Sequence, residues 1–583
     1  MPEQDRILTS PVRLTGELHL AHLATLASVD ALLRRARSEG AEVAWQAATL
    51  AGDLGSQALV ERELTREGTG RSDLGRDAFV DRVRAQEAEA RERVSRDLAA
   101  AGIVADLGAD ALDTDAAVVA ARTAFVRLYE AGLLTRQERV VATCPRCRTV
   151  VDPADALPAA LEAEVITLKL GPPETTGPQV TFEVEVDLIA PELLPGVVAV
   201  AVPEDHPAAG SQVEVPVART VVPVIADASV ETPELVIPSH DQAGLELARR
   251  HGLLPVDVLD GDGVVRAEGP LQGLARFAAR AAARQLITAD GDVLVVRPGL
   301  EPSDRCRRCG TVLVPRRGRH WFLPMADLEV GAADAVRESH IDFAPPSARD
   351  ELIARAGLGG DWCLSHQVWA GQPVPVAACL DCGQLAVSVE ASASCGKCMG
   401  TLVAEDDVLD ARFVGAVWPL ATAGWPASEK GPSDLAPDTT LVVGPSGVVK
   451  WVLPMAALGV WLAGVVPFCN VAVHHVVATE EDPDPRLPVD LAALVAEEGP
   501  RVVRAALLLG GLDLAAARAL VAGIDDPPLG AAGIDDVLAA YDAAFAAGTP
   551  GDVIPMLAGT LDEGISPDAV DRVKALAAPL LGD

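Results

Sequence analysis

Aromatic side chains are scarce in this 583-residue chain, at 3%. Cores of any size must therefore be filled by small aliphatic groups, and Ala and Val are abundant. Lysine is rare beside arginine, and no long Lys/Arg run occurs. With a net charge of −36, the surface repels phosphate backbones unless positive charge is gathered locally. That disfavours generic nucleic-acid binding. The best basic clusters are short: Arg305, Arg307 and Arg308, then Arg316, Arg317 and Arg319. The N-terminal MPEQDRILTSP lacks an apolar signal core. The longest apolar run, Val452–Phe468, is too short for a membrane span and is interrupted by Pro454, which predicts a buried segment and no membrane partner.

What the chain does have is cysteine in an ordered pattern. Eight of its ten cysteines form four C-x-x-C pairs: Cys144/Cys147, Cys306/Cys309, Cys379/Cys382 and Cys395/Cys398. Thiolates two residues apart share one tight turn, and four thiolates close a tetrahedral zinc shell. Four pairs make two such sites. The last two pairs are close in sequence and read as a local zinc ribbon. The first two are far apart, so a shared metal requires the intervening chain to leave the fold and return beside its point of departure. Redox dithiols or disulfides are the competing reading. A closed four-thiolate shell leaves no open position for water, so the expected zinc is structural, and metal-ligand cysteines point to a reducing, cytoplasmic compartment.

The apolar spacing of residues 17–40 predicts a helix ending at Gly40, followed by an extended AEVAWQA. This reads as the start of a doubly wound α/β domain. Residues 72–140 read as two or three amphipathic helices. From about 165 to 230 the chain becomes Val-rich and partly alternating, which predicts a compact β-rich domain inserted between the first two cysteine pairs. Mixed α/β character returns over residues 331–505, and Ala/Leu-rich helix follows. The expected domains are 1–155, 160–300 (inserted and β-rich), 301–505 with the ribbon at 379–398, and a short helical segment over 506–583.

His19-Leu-Ala-His22 follows Leu14-Thr-Gly16 and opens the first predicted helix, where amide dipoles favour phosphate. The segment LTGELHLAH resembles the ATP-binding signature T-G-x-L-H-x-G-H of class Ia aminoacyl-tRNA synthetases. GRSDLGRDAFVDRV, TCPRCRTVVDPADAL, RCRRCGTVLVPRRGRHWFLPM, DWCLSHQVWAGQPVP and DVLDARFVGAVWPLATAGWP are similar, in order, to valyl-tRNA synthetases. The resemblance implies an α/β fold: a Rossmann-like catalytic domain carrying an inserted β-rich editing-like domain and zinc modules. It implies ATP binding at His19, Ala21 and His22, an editing-like pocket at His240 and Asp241, and metal at the eight paired cysteines. ATP and magnesium serve as helpers if the chain is active, and valine and tRNA are the family's substrates.

Several positions depart from the family pattern. Ala21 stands where the signature has Gly, so a methyl group crowds the adenine position. Thr49, in Ala47-Ala-Thr-Leu-Ala-Gly52, stands where the family has an aspartate for the substrate ammonium, with Asp53 nearby. After Val473-His-His475, the acidic Glu480, Glu481, Asp482 and Asp484 replace the family's K-M-S-K-S lysines, which stabilise developing charge on the triphosphate. The editing strand reads Leu188-Ile-Ala-Pro-Glu-Leu193, without the family's threonines. Residues 506–583 are too few for the family's anticodon-binding domain and coiled coil, so tRNA recognition by the usual route is not expected. These departures predict a paralogue with reduced or lost catalysis that persists as a binding or regulatory protein with a protein partner. The alternatives are an active valine–tRNA ligase and an amino-acid-activating enzyme of a biosynthetic pathway.

Overall fold

The computed structural model describes residues 5–13, 18–50, 52–103, 107, 114–173, 182–338, 341–427, 439–474, 489–509, 513–525, 535–547, 549–563 and 570–581. The chain divides into two compact units. One comprises Met1–Thr135, Leu323–Leu364 and Trp369–Asp583; the other comprises Arg136–Phe322 and Ser365–Val368.

The first unit is built on a five-stranded parallel sheet. Its spatial order is Asp342–Ala344, Asn470–Val473, Thr439–Val443, Asp5–Thr9, Val43–Gln46. Central strands of a parallel sheet are covered on both faces and read as unbroken apolar runs. Leu441, Val442, Val443, Val471 and Ala472 obey that rule and are buried. From Asp5–Thr9 the chain crosses through the helix Leu20–Ser38 to Val43–Gln46 on one side, while Thr439–Val443 lies on the other. That arrangement is a topological switch point, where the carboxyl ends of the strands open into a crevice. The helix Leu453–Ala463 accounts for most of the long apolar run, and it is largely buried.

The C-terminal helices Leu491–Glu498, Pro500–Leu508, Leu514–Asp525, Asp535–Ala547, Ile554–Glu563 and Val570–Leu581 belong to this same unit. Val503, Leu507, Leu557, Val573 and Leu580 share one core with Leu23 and Leu26 of the first helix and Leu98 of the helix Arg76–Ala100. At its centre Arg504 is 1% exposed. Its guanidinium donates to Asp30 Oδ2 at 2.5 Å, to Gly102 O at 3.0 Å and to Leu580 O at 2.9 Å.

In the second unit, Ala156–Leu170 and Val293–Cys306 form a long antiparallel ladder, in register from Cys306 opposite Ala156 to Val295 opposite Thr167. The register shifts between Val295, opposite Thr167, and Val293. The ladder is the stem of the excursion: chain that leaves along one strand returns along the other. Beyond it lies a four-stranded sheet ordered Gln212–Val215, Thr220–Ala226, Ala199–Val202, Glu234–Val236. Its core is almost entirely Val, Ile, Leu and Ala, the filling that a chain poor in aromatics must use.

Candidate functional site

At the crevice of the first unit, His19 is the N-cap of the helix Leu20–Ser38, and its Nδ1 accepts from the backbone N–H of His22 at 3.3 Å. The two imidazoles stack with centroids 3.6 Å apart. The strand Asn470–Val473 ends at the sheet's carboxyl edge and delivers His474, whose Nε2 lies 2.7 Å from Thr25 Oγ1 on the same helix. His22 is held well below the ordinary histidine value, first by burial and then by His19, Lys450, Arg13 and His474. Those causes identify a cationic locus around the helix N-terminus. Its imidazole is neutral at pH 7. Lys450 sits in a π turn, Val448–Val452, a wide backbone turn that recurs at functional sites. Sequence reasoning singled out His19, Ala21 and His22 but missed Arg13, Lys450 and His474, which come from three other segments. The His-His doublet at 474–475 was the one local signal.

Thr49 is fully buried, and its Oγ1 has no partner among the described residues. Asp53 is engaged twice, capping the helix Leu54–Arg66 through Ser56 N at 2.9 Å and pairing with Arg13 at 2.8 Å. Neither residue offers a free carboxylate at this point. Glu87, on the helix Arg76–Ala100, is 5% exposed and accepts from Gly52 N at 2.7 Å. Residues 14–17, and the stretch 475–488 that includes Glu480, Glu481, Asp482 and Asp484, lie outside the described residues.

The cysteines assemble as two sets. Cys144, Cys147, Cys306 and Cys309 form one; Cys379, Cys382, Cys395 and Cys398 form the other, and within each set all Sγ atoms lie within 4.8 Å of one another. Cys144–Cys309, Cys379–Cys398 and Cys382–Cys398 stand at 3.4 Å, and Cys382–Cys395 at 3.7 Å. A metal–sulfur bond of about 2.3 Å in a tetrahedron sets these separations near 3.8 Å, so both sets fit one ion with four thiolates. The first set sits at the foot of the Ala156–Cys306 ladder and is mostly buried. In the second, Cys382 and Cys398 are exposed.

His240 is buried, bonds Pro315 O through Nδ1 at 2.7 Å, and is pushed down to about 4 by burial. Asp241 is exposed and caps the helix Gln242–Arg250 through Gly244 N at 2.6 Å. In the segment Leu188–Leu193 the polar residue is Glu192, which is fully buried and binds Arg276 at 3.1 Å and Arg280 at 2.7 Å, with Glu301 completing the network. Several members of the short basic clusters are engaged by nearby groups. Arg308 pairs with Asp155, Arg317 with Glu138 and Asp257, and Arg307 donates to Ala156 O.

The model of tRNA synthetases class I (I, L, M and V) matches residues 4–482. The valine–tRNA ligase of Streptomyces coelicolor is 31% identical over 491 residues, covering 81% of this chain and 54% of that protein. That of Desulfotalea psychrophila is 32% identical over 483 residues, with 81% and 54% covered. That of Clostridium acetobutylicum is 30% identical over 487, with 82% and 55% covered. The chain thus spans about half the length of these relatives. A solved methionyl-tRNA synthetase of Mycobacterium tuberculosis, in complex with methionyl-adenylate, superposes with a TM-score of 0.50 at 12% identity, covering 100% of this chain and 92% of that one, a likeness of fold. No helix among the described residues is long and apolar enough to cross a membrane. A family match over most of the length, a parallel sheet with its switch-point crevice and a histidine-capped first helix agree: the chain belongs to the class I tRNA synthetase family (I, L, M and V).

Proposed function

We propose that this chain is a valyl-tRNA synthetase-like protein that holds a nucleotide and a small amino acid but activates the amino acid weakly or not at all. The observation that carries the reading is the state of the Thr49–Asp53 segment. Thr49 is buried and neutral, and Asp53 is committed to Arg13 and to its helix cap. Thr49 and Asp53 themselves therefore offer a substrate ammonium no free charge-assisted acceptor. In sequence, the acidic stretch after His475 stands where the family has K-M-S-K-S, whose lysines stabilise the charge that develops on the triphosphate. Ala21, on the first turn of the helix, brings a methyl group toward the adenine.

Nucleotide binding is the retained half. Lys450 supplies positive charge at a helix N-terminus, beside the Arg13–Asp53 ion pair and the imidazoles of His19, His22 and His474, which suits phosphate. The two cysteine sets hold zinc as staples, and zinc there performs no chemistry because four thiolates fill its shell. In the second unit, editing hydrolysis is reduced, since Asp241 serves as a helix cap and Glu192 lies in a buried ion network. Magnesium accompanies ATP at the crevice, and a protein partner is the outlet for a chain that binds without reacting. The relatives' name makes valine and tRNA the ligands to try.

Valine-dependent exchange of pyrophosphate into ATP tests the reading. Exchange no greater than that of His19→Ala is expected. Saturable exchange well above that control would establish instead a working ligase, or an amino-acid-activating enzyme if another amino acid supports it.

A further inference from the structure

We propose that Glu87 anchors the cationic nitrogen of a small aliphatic amino compound in a cavity between the Gly52 loop and the helix Arg76–Ala100. The proposal deepens the amino-acid half of the reading above by naming the residue that recognises the ligand. The cavity measures about 410 Å³ and is walled by Val80, Val118, Leu409 and Val414, with Gln372 among its polar groups. Its floor is a close approach of two backbones. A Cβ on Gly52, at φ +64°, would stand 2.6 Å from Gly371 Cα, so both positions exclude a side chain and the space above them stays open. The volume lies near the lower end of small-molecule sites and exceeds what a branched aliphatic side chain fills.

Glu87 is a buried carboxyl in this apolar surround. It accepts from the Gly52 N–H at 2.7 Å. A carboxylate has about four acceptor positions, so it can take a further donor from the cavity side. The charged groups that reach it are Asp53, already paired with Arg13, and Arg91 on its own helix, while Arg84 stands at the cavity margin. Burial is the main cause, with Asp53 adding to it, of a shift that raises Glu87 to about 7. A buried carboxylate in this position gains most from an ammonium donor, which compensates the desolvation of its charged form. A ligand with an ammonium and a compact apolar body satisfies carboxyl and wall together, whereas a ligand with the same body and no amine satisfies the wall alone.

The test is calorimetric titration of the full chain with L-valine, valinol and isovalerate at pH 6 and pH 8, with melting curves as the folding control. Both amines are expected to bind, more tightly at pH 8, where Glu87 is ionised, and isovalerate is not. Glu87→Gln, which keeps size and the acceptor for Gly52, is expected to weaken amine binding by about tenfold or more and to remove the pH difference. Val414→Trp, which fills the cavity, should weaken it without touching the carboxyl. Isovalerate binding as well as valine, amine binding untouched by Glu87→Gln in folded protein, or failure of both amines at millimolar concentration would each overturn the proposal. Pyrophosphate exchange on the same samples separates the two readings. Binding through Glu87 together with strong exchange sinks the reduced-activity reading alone. Strong exchange that ignores Glu87→Gln sinks both.

Discussion

The staples of this molecule and the chain beside its parallel sheet have fared differently. Both cysteine sets are complete, with four sulfurs at metal-shell spacing, and Arg504 is matched in the core by Asp30 and two carbonyls. Just beyond that sheet, in the short pairing of Thr49–Leu50 with Val12–Arg13, Thr49 has no charge to offer and Asp53 is tied to Arg13. Groups that hold the fold answer to stability, and losing one leaves a buried charge or an open shell. Groups that activate a substrate answer only to chemistry, and replacing them leaves the core untouched. A scaffold can therefore outlast its reaction.

Substitutions on each side of that divide should behave differently. The largest effect belongs to Cys306→Ser. It should lower bound metal from about two ions per chain to about one and cost the second unit on the order of 5 kcal/mol or more in chemical denaturation, because metal binding at such a site is also folding energy. Cys395→Ser should also remove one ion, yet leave the main unfolding transition within about 1 kcal/mol, since its ribbon closes only local chain. Equal effects of the two would break the distinction between a long-range and a local clasp.

Next is Arg504→Met. Removing one partner of a buried ion pair costs about 3–5 kcal/mol. Arg34 still donates to Asp30 Oδ2 at 2.8 Å, so the lower half of that range is expected in urea unfolding. No change would mean that the C-terminal helices are not joined to the first helix through this residue.

The smallest stability effect belongs to His22→Ala, within about 1 kcal/mol, because the side chain is half-buried with no cavity to open. Its effect on ligands should be clear. His22 is depressed in the free protein, and a bound polyphosphate raises it, so binding takes up a proton. Affinity for a nonhydrolysable ATP analogue should therefore rise as pH falls from 8 to 6, and His22→Ala should reduce that slope. A flat pH profile in the unaltered protein would remove His22 from the phosphate site.

Sequence made some of this legible because spacing carried it. C-x-x-C pairs announce shared turns, and a Val-rich stretch between two of them announces an inserted β domain, which the Ala156–Leu170 and Val293–Cys306 ladder accommodates. The first helix was legible from its apolar periodicity and Gly40. Contributions from distant chain were not legible. Lys450 and His474 join His22 only because parallel strands from late in the sequence lie beside Asp5–Thr9. Glu87 reads as one more charge on an amphipathic helix, and nothing in its neighbours along the chain reveals that it faces Gly52. Arg504 reads as an ordinary exposed residue, since local pattern cannot show that the partner 474 positions away is Asp30. The basic clusters at 305–308 and 316–319 looked available from sequence, and several of their members instead pair with nearby carboxylates and carbonyls.

The central claim, that ligands are held without being joined, is tested most directly by a single-turnover experiment. The protein is mixed in excess over α-phosphate-labelled ATP with magnesium and saturating valine, quenched over minutes, and the nucleotide is separated. The account predicts labelled ATP that binds the protein and is recovered intact. Stoichiometric conversion to valyl-adenylate, abolished in His19→Ala, would contradict it.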